Sequence, residues 1–202
     1  MRIIAISDTH NRYPRIPEGD ILIHAGDLTG LGTRKECDDA MAWLASLPHK
    51  HKLFIPGNHD FAFEREVLPI PDGLVLLNNK TVEVEGITIC GSPYSLEFRG
   101  WAFGSTRDLY RARKMWERII PDNLDILVTH GPAFEVLDRT YHGEPAGDEA
   151  LAWVIASKQP KVHIFGHIHE SYGNVLVDDV QRYNVAMGYD LEHPPTIIDF
   201  EK

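Results

Sequence analysis

The sequence predicts a layered α/β fold built on a mixed sheet or two packed sheets. Short runs of β-branched and aliphatic residues alternate with segments of helical periodicity along most of the chain. Runs such as Ile21-Leu22-Ile23 and Ile126-Leu127-Val128 are apolar without alternation, as expected of strands covered on both faces. The C-terminal third holds several strand-like runs and little room for helices, which favours layers over a plain β-α repeat.

Taken in order, strands are expected over residues 2–6, 21–25, 52–56, 74–77, 81–84, 87–91, 125–129, 162–165, 174–177, 182–186 and 196–200. Thr33-Arg34-Lys35-Glu36 has capping-box spacing, and Met41, Leu44 and Leu47 follow on one helical face, so a helix begins there. Further helices are expected over 61–68, 106–119 and 148–156, the last stopped by Pro160. Segments 92–105 and 138–147 are irregular and rich in Gly, aromatic or charged residues. Loops of that length inside a compact domain are often functional.

A chain of 202 residues reads as one domain, 1–202, whose core needs no disulfide or metal staple. With 43% apolar and 25% charged residues it has an ordinary globular composition. A net charge of −10 and a pI of about 5.5 argue against an extended nucleic-acid track, which needs clustered Lys and Arg. A small phosphate substrate is not excluded, because bound divalent cations would dominate the local field. Cys37 and Cys90 read as reduced core thiols of a cytoplasmic protein. Ile3-Ile4-Ala5-Ile6 is too short for a signal-peptide core, and no run reaches membrane-spanning length, so no membrane association is expected.

Chemistry concentrates in five polar clusters, each leaving an expected strand: Asp8-Thr9-His10, Gly26-Asp27, Gly57-Asn58-His59-Asp60, Thr129-His130-Gly131-Pro132 and Gly166-His167-Ile168-His169. They offer Asp8, His10, Asp27, Asn58, His130, His167 and His169, oxygen and nitrogen ligands with no thiolate among them. That set suffices for two metal ions sharing a bridging carboxylate, a centre able to bind phosphate and activate water. Any one cluster alone would be an ordinary turn. Asp8 and His10 are expected on one side of a still extended chain. Asp27 is the natural bridge between ions about 3.5–4 Å apart, and the neutral carbonyl of Asn58 suits a hard cation. The His167-x-His169 pair, on an extended loop, would serve two neighbouring ions. His59 is assigned to catalysis as leaving-group acid and phosphate contact. Asp60 joins it, either orienting that imidazole through its other ring nitrogen or capping the helix 61–68. His24 and His163 are expected to be satisfied core histidines, while His49, His51, His142 and His193 lie in expected loops and should be solvated.

These five motifs resemble the signature of the calcineurin-like metallophosphoesterase superfamily, and no signature position departs from it. The resemblance spans Asp8 to His169. It implies a four-layer α/β/β/α sandwich of two mixed β-sheets flanked by helices, with a di-metal site at the strand ends. It also implies that Asp8, His10, Asp27 and His169 hold one metal and that Asp27, Asn58, His130 and His167 hold the other, with His59 near the leaving group. Ile6-Ser7-Asp8-Thr9-His10-Asn11, Gly91-Ser92-Pro93-Tyr94, Trp101-Ala102-Phe103 and Phe165-Gly166-His167-Ile168-His169-Glu170 are similar to the small metallophosphoesterase-domain-containing proteins. That group is class III cyclic nucleotide phosphodiesterase-like.

The expected activity is therefore hydrolysis of a small phosphodiester, with a 2′,3′- or 3′,5′-cyclic nucleotide as one candidate, by attack of a metal-bridging hydroxide. A phosphomonoesterase acting on a nucleotide or phosphoprotein is the alternative, and a nuclease is disfavoured by charge. A non-catalytic scaffold is disfavoured by the intact ligand set. The ligands suit Mn²⁺, Fe²⁺, Co²⁺, Ni²⁺ or Zn²⁺. Tyr94, Phe98, Trp101 and Phe103 offer surfaces on which a base could stack, although Trp101 and Phe103 read equally well as core plugs. Arg99 and Arg107 read equally as phosphate contacts and as solvated charges. Oligomeric state has no signature in the sequence.

Overall fold

In the computed structural model, which describes residues 1–201, the chain opens with β1 (Arg2–Ile6), β2 (Ile21–Ala25), α1 (Arg34–Ser46), β3 (His51–Ile55), α2 (Phe61–Arg65) and β4 (Leu74–Leu76). It continues through β5 (Lys80–Val84), β6 (Ile87–Ser92), β7 (Ser95–Leu96), β8 (Gly104–Ser105), α3 (Leu109–Ile119), β9 (Ile126–Thr129) and α4 (Glu149–Lys158). The remainder is β10 (Val162–Phe165), a 3₁₀ turn (His169–Ser171), β11 (Gly173–Val177), β12 (Val180–Asn184) and β13 (Thr196–Asp199).

One sheet has the order β13-β1-β2-β3-β4 and the other β11-β12-β10-β9-β6-β5. Parallel pairs form the middle of both, and antiparallel β13, β11 and β5 form edges. Strand alternation then divides the side chains among three apolar layers. Ile3, Ala5, Ile21, Ile23, Leu53 and Ile55 meet Ile87, Ile89, Ile126, Val128, Val162 and Ile164 between the sheets. On the outer face of the first sheet, Ile4, Ile6, Leu22 and Phe54 cluster with Cys37, Met41 and Leu44 of α1 and Phe63 of α2. On that of the second, Cys90 and Leu127 cluster with Trp116 of α3 and Leu151, Val154 and Ile155 of α4. Three apolar layers between four structural ones make the expected α/β/β/α sandwich.

The departures from expectation are local. Helix α2 stops at Arg65 rather than at residue 68, because Pro69 holds Leu68 out of the helical region. Helix α3 begins at Leu109, where Asp108 caps it by accepting from the Arg111 backbone N–H at 3.0 Å. Strand β12 starts two residues earlier than expected. Asp178 and Asp179, with φ of 47° and 62°, form a two-residue hairpin turn, and Val177 pairs with Val180 across it. Segment 92–105 contains the short β7-β8 ribbon. His49, expected to be solvated, is buried, with its Nε2 2.9 Å from the Pro17 carbonyl.

Both sheets present their strand C-termini on one rim, where ligands gather in open α/β sheets. The Asp8 N–H donates to the Gly26 carbonyl at 2.9 Å and the Gly166 N–H to the His130 carbonyl at 3.0 Å. Between sheets, the His167 N–H donates to Asp8 Oδ2 at 3.0 Å and the Met187 N–H to the Ser7 carbonyl at 3.0 Å.

Candidate metal centre

All five motifs converge on that rim. Donor atoms of Asp8, His10 and His169 lie within 4.8 Å of one another, and the same holds for His10, Asp27 and His59 and for Asp8, Asp27 and His130. Asn58 joins through its Oδ1, 2.8 Å from His130 Nε2. His167 joins with its ring centroid 5.0 Å from that of His130. Asp27 is common to two of the three groups and lies 3.4 Å from His130 Nε2 and 3.9 Å from His10 Nε2.

The backbone that achieves this is not the extended one expected. Asp8, His10 and Asn11 have φ of 58°, 43° and 63°, Asp27 has 56° and His167 has 72°. The ligand loops thus turn through the left-handed region, which costs energy outside glycine and recurs at functional sites. Glycine is required at two of the corners. A Cβ on Gly26, which has φ of +99°, would sit 2.4 Å from His130 Nδ1, and one on Gly166 would sit 2.2 Å from Asp8 Oδ2.

Three imidazoles are anchored alike. The Nδ1–H groups of His10, His59 and His130 donate to the carbonyls of Thr29 (3.0 Å), Gly30 (2.7 Å) and Ala25 (2.9 Å). A carbonyl can only accept, so each contact places a proton on Nδ1 and turns Nε2 toward the centre, as in metal-ligating histidines. Two of the inward atoms, Asp8 Oδ1 and His10 Nε2, are buried without a hydrogen-bond partner among the described residues. An unsatisfied buried carboxylate oxygen or imidazole nitrogen is expensive, and a divalent cation satisfies both at once. The residues present therefore fit a metal.

The chain matches the calcineurin-like phosphoesterase family over residues 1–171. It belongs to this family. It is 36% identical to metallophosphoesterase domain-containing protein 1 of Homo sapiens, across 98% of this chain and 70% of that protein. It is 25% identical to a 3′,5′-cyclic-nucleotide phosphodiesterase of Nostoc sp., across 92% of this chain and 65% of the relative. Among solved structures, the phosphopantetheinyl hydrolase of Mycobacterium tuberculosis shares the fold, with a TM-score of 0.62 at 20% identity over 93% of this chain and 89% of that one. The family is one of dinuclear, metal-dependent phosphoesterases, and this chain is accordingly a metal-dependent phosphoesterase.

Electrostatics of this phosphoesterase suit cations. Burial raises the Asp8 carboxyl, yet the close approach of His169, whose Nε2 is 3.3 Å from Oδ1, and the charges of His130, His169 and His10 outweigh it and hold the group well below the usual range. Asp27 is raised by burial and pulled down, to about 2, chiefly by His130. Both carboxylates therefore stay ionised. Burial, helped by the charge of His130, takes His167 down to about 4, which keeps its imidazole neutral and able to ligate.

Asp60 does not do what the sequence led us to expect. His59 Nδ1 is bonded to the Gly30 carbonyl, so it has no place for Asp60, and the Asp60 side chain makes no capping bond to α2. Its oxygens instead accept from the N–H groups of Leu28 (3.1 Å), Thr29 (2.9 Å) and Gly57 (2.8 Å) and from the Thr29 hydroxyl (2.7 Å). Fully buried, it staples the Asp27 loop to the Asn58 loop. Asp60→Ala should destabilise the metal-free fold by about 2–4 kcal/mol, because buried donors lose their acceptor. Urea unfolding would measure this, and the dependence of rate on leaving group should not change.

His24 and His163 are buried as expected, and each bonds a threonine next in sequence to a candidate metal ligand. His24 Nε2 is 3.0 Å from Thr9 Oγ1 and His163 Nε2 is 2.8 Å from Thr129 Oγ1, although His24 Nδ1 lacks a partner among the described residues. In segment 92–105, Phe103 is core, Phe98 is exposed and Tyr94 packs edge-on to Trp116. Arg107 is held by the Glu97 carbonyl at 2.7 Å rather than aimed at the centre. Sequence reasoning missed Tyr189, whose ring stacks on His10 at 4.6 Å. It follows no strand and carries no ligand chemistry, so nothing in the pattern marked it.

Proposed function

We propose that this phosphoesterase cleaves a small phosphodiester, with a cyclic nucleotide as the leading candidate. The observation that carries its metal dependence is the pair of inward atoms Asp8 Oδ1 and His10 Nε2, buried without a hydrogen bond among the described residues and set among imidazoles whose outer nitrogens are already committed. In this assignment Asp8, His10, Asp27 and His169 would hold one metal, and Asp27, Asn58, His130 and His167 would hold the other. When bound, two such cations supply Lewis-acid activation of the phosphoryl group and of the attacking water.

The chain's own residues do the positioning. Asp27 fixes the separation of the two ligand sets, while the carbonyls of Ala25, Thr29 and Gly30 hold the imidazoles in line. His59 lies at the mouth with its side chain 13% exposed and its Nε2 3.9 Å from Asp27 Oδ2. It is assigned as the donor of a proton to the departing oxygen. The Nostoc relative's name supports a diester. The absence of thiolate from the ligand set accommodates Mn²⁺, Fe²⁺, Co²⁺, Ni²⁺ or Zn²⁺. Two buried, unpaired cysteines support a reducing, cytoplasmic setting.

Chelation with EDTA should remove hydrolysis of bis-p-nitrophenyl phosphate, and at least one of these cations should restore it. Faster turnover of that diester than of p-nitrophenyl phosphate is expected, and the reverse order would make the protein a monoesterase. Hydrolysis persisting in protein shown to be metal-free by elemental analysis would sink the reading. Thermal melting should stay cooperative after chelation, because three apolar layers hold the fold without metal.

A further inference from the structure

Four rings form a row across the mouth of the centre. Tyr189 stacks on His10 with centroids 4.6 Å apart and planes 26° apart, His10 meets His59 at 4.7 Å, and His59 meets Trp101 at 4.2 Å. The two outer rings come from segments that carry no metal motif. Both are open to solvent, Tyr189 at 56% and Trp101 at 37% exposure. Neither is spent on the core, since each belongs to no apolar layer among the described residues.

The segments that carry both rings are also tied down. Ala102, next to Trp101, donates its N–H to the Asn58 carbonyl at 3.2 Å, tying this loop to a ligand residue. Tyr189 sits in a turn closed by the Leu191 N–H on the Gly188 carbonyl at 3.1 Å, and Asp190 is paired with Arg12 at 2.7 Å. The Tyr189 hydroxyl makes no hydrogen bond among the described residues, and its ring also lies edge-on to His169 at 4.7 Å. Exposed, pre-positioned aromatic faces are inexpensive to use in binding, because little side-chain freedom is lost.

We propose that Trp101 and Tyr189 are the specificity-determining walls of this mouth and select phosphate esters that carry a planar ring, which lies against one or both. The proposal rests on the function argued above and adds a substrate feature to it. A nucleobase and an aryl leaving group both offer the flat π-face required. Stacking of this kind is worth roughly tenfold or more in affinity per ring removed. A mere buttress for His10 and His59 would behave differently: it would alter metal retention and weaken all ligands alike.

The test uses Mn²⁺-loaded protein and calorimetric binding of adenosine 5′-monophosphate, phenyl phosphate and ribose 5-phosphate. Wild type should bind the first two more tightly than the third. Trp101→Leu and Tyr189→Leu keep apolar cover but remove the flat face. At least one should lower affinity for a ring-bearing ligand by roughly tenfold, leaving ribose 5-phosphate and metal content unchanged, while Tyr189→Phe keeps wild-type affinity. Loss confined to adenosine 5′-monophosphate assigns the walls to a base, and loss confined to phenyl phosphate assigns them to a leaving group. Equal losses for all three ligands, or loss of metal, would overturn the proposal while leaving metal-dependent hydrolysis intact. If protein holding two metals bound none of the three, the proposal and the function beneath it would both fall.

Discussion

Asp27→Ala is expected to abolish turnover and to empty both metal positions. Asp27 occurs in two of the three donor groups, beside His10 in one and His130 in the other, and so links residues assigned to the two different ions. Its loss also strips the His59 N–H of its acceptor, Oδ1 at 2.8 Å, and leaves buried His130 without its charge partner. The fall should exceed the roughly 10²–10³-fold typical of deleting one electrostatic contact at a reacting centre. Asp27→Asn separates charge from scaffolding: it keeps an acceptor for His59 but removes the negative charge, and metal should still be lost. Two metals per chain and near-normal turnover in either variant would show that Asp27 is not the bridge.

His59→Ala should have the second largest effect, by a different route. The His59 side chain joins a donor group with His10 and Asp27, so its geometry alone permits ligation. The role proposed for it is proton donation, in which case both metals remain while kcat falls by roughly 10²–10⁴-fold for a poor leaving group. The loss should shrink for p-nitrophenyl esters, whose leaving oxygen needs little protonation. Loss of metal, or equal losses for good and poor leaving groups, would make His59 a ligand instead.

Much of this architecture could be read from residue pattern. Ile3 to Ile6 and Ile21 to Ile23 are apolar at every position because both faces of β1 and β2 are covered, and that is visible in a sequence. Thr33 and Glu36 mark α1 because both halves of a capping box are side chains, and both bonds are present. The boundaries of α2, α3 and β12 were less legible, since a single proline, cap or two-residue turn decided each.

At the site, the residue types were legible and the backbone was not. Asp8 and His10 converge through left-handed turns rather than along a strand, a conformation that nothing but tertiary packing imposes. The role of Asp60 depended on which carbonyl claimed His59 Nδ1, and Gly30 lies far from both in sequence. Tyr189 reaches the centre from a segment whose Met187 N–H is bonded to the Ser7 carbonyl across the two sheets. Such contacts join residues with no shared periodicity, so no local pattern announces them.

Anomalous diffraction from crystals soaked in Mn²⁺ tests the central claim most directly. The account predicts two peaks about 3.5–4 Å apart with the Asp27 carboxylate between them. One should contact Asp8, His10 and His169 and the other Asn58, His130 and His167, with His59 contacting neither. A single peak, or two peaks that do not share Asp27, would contradict it.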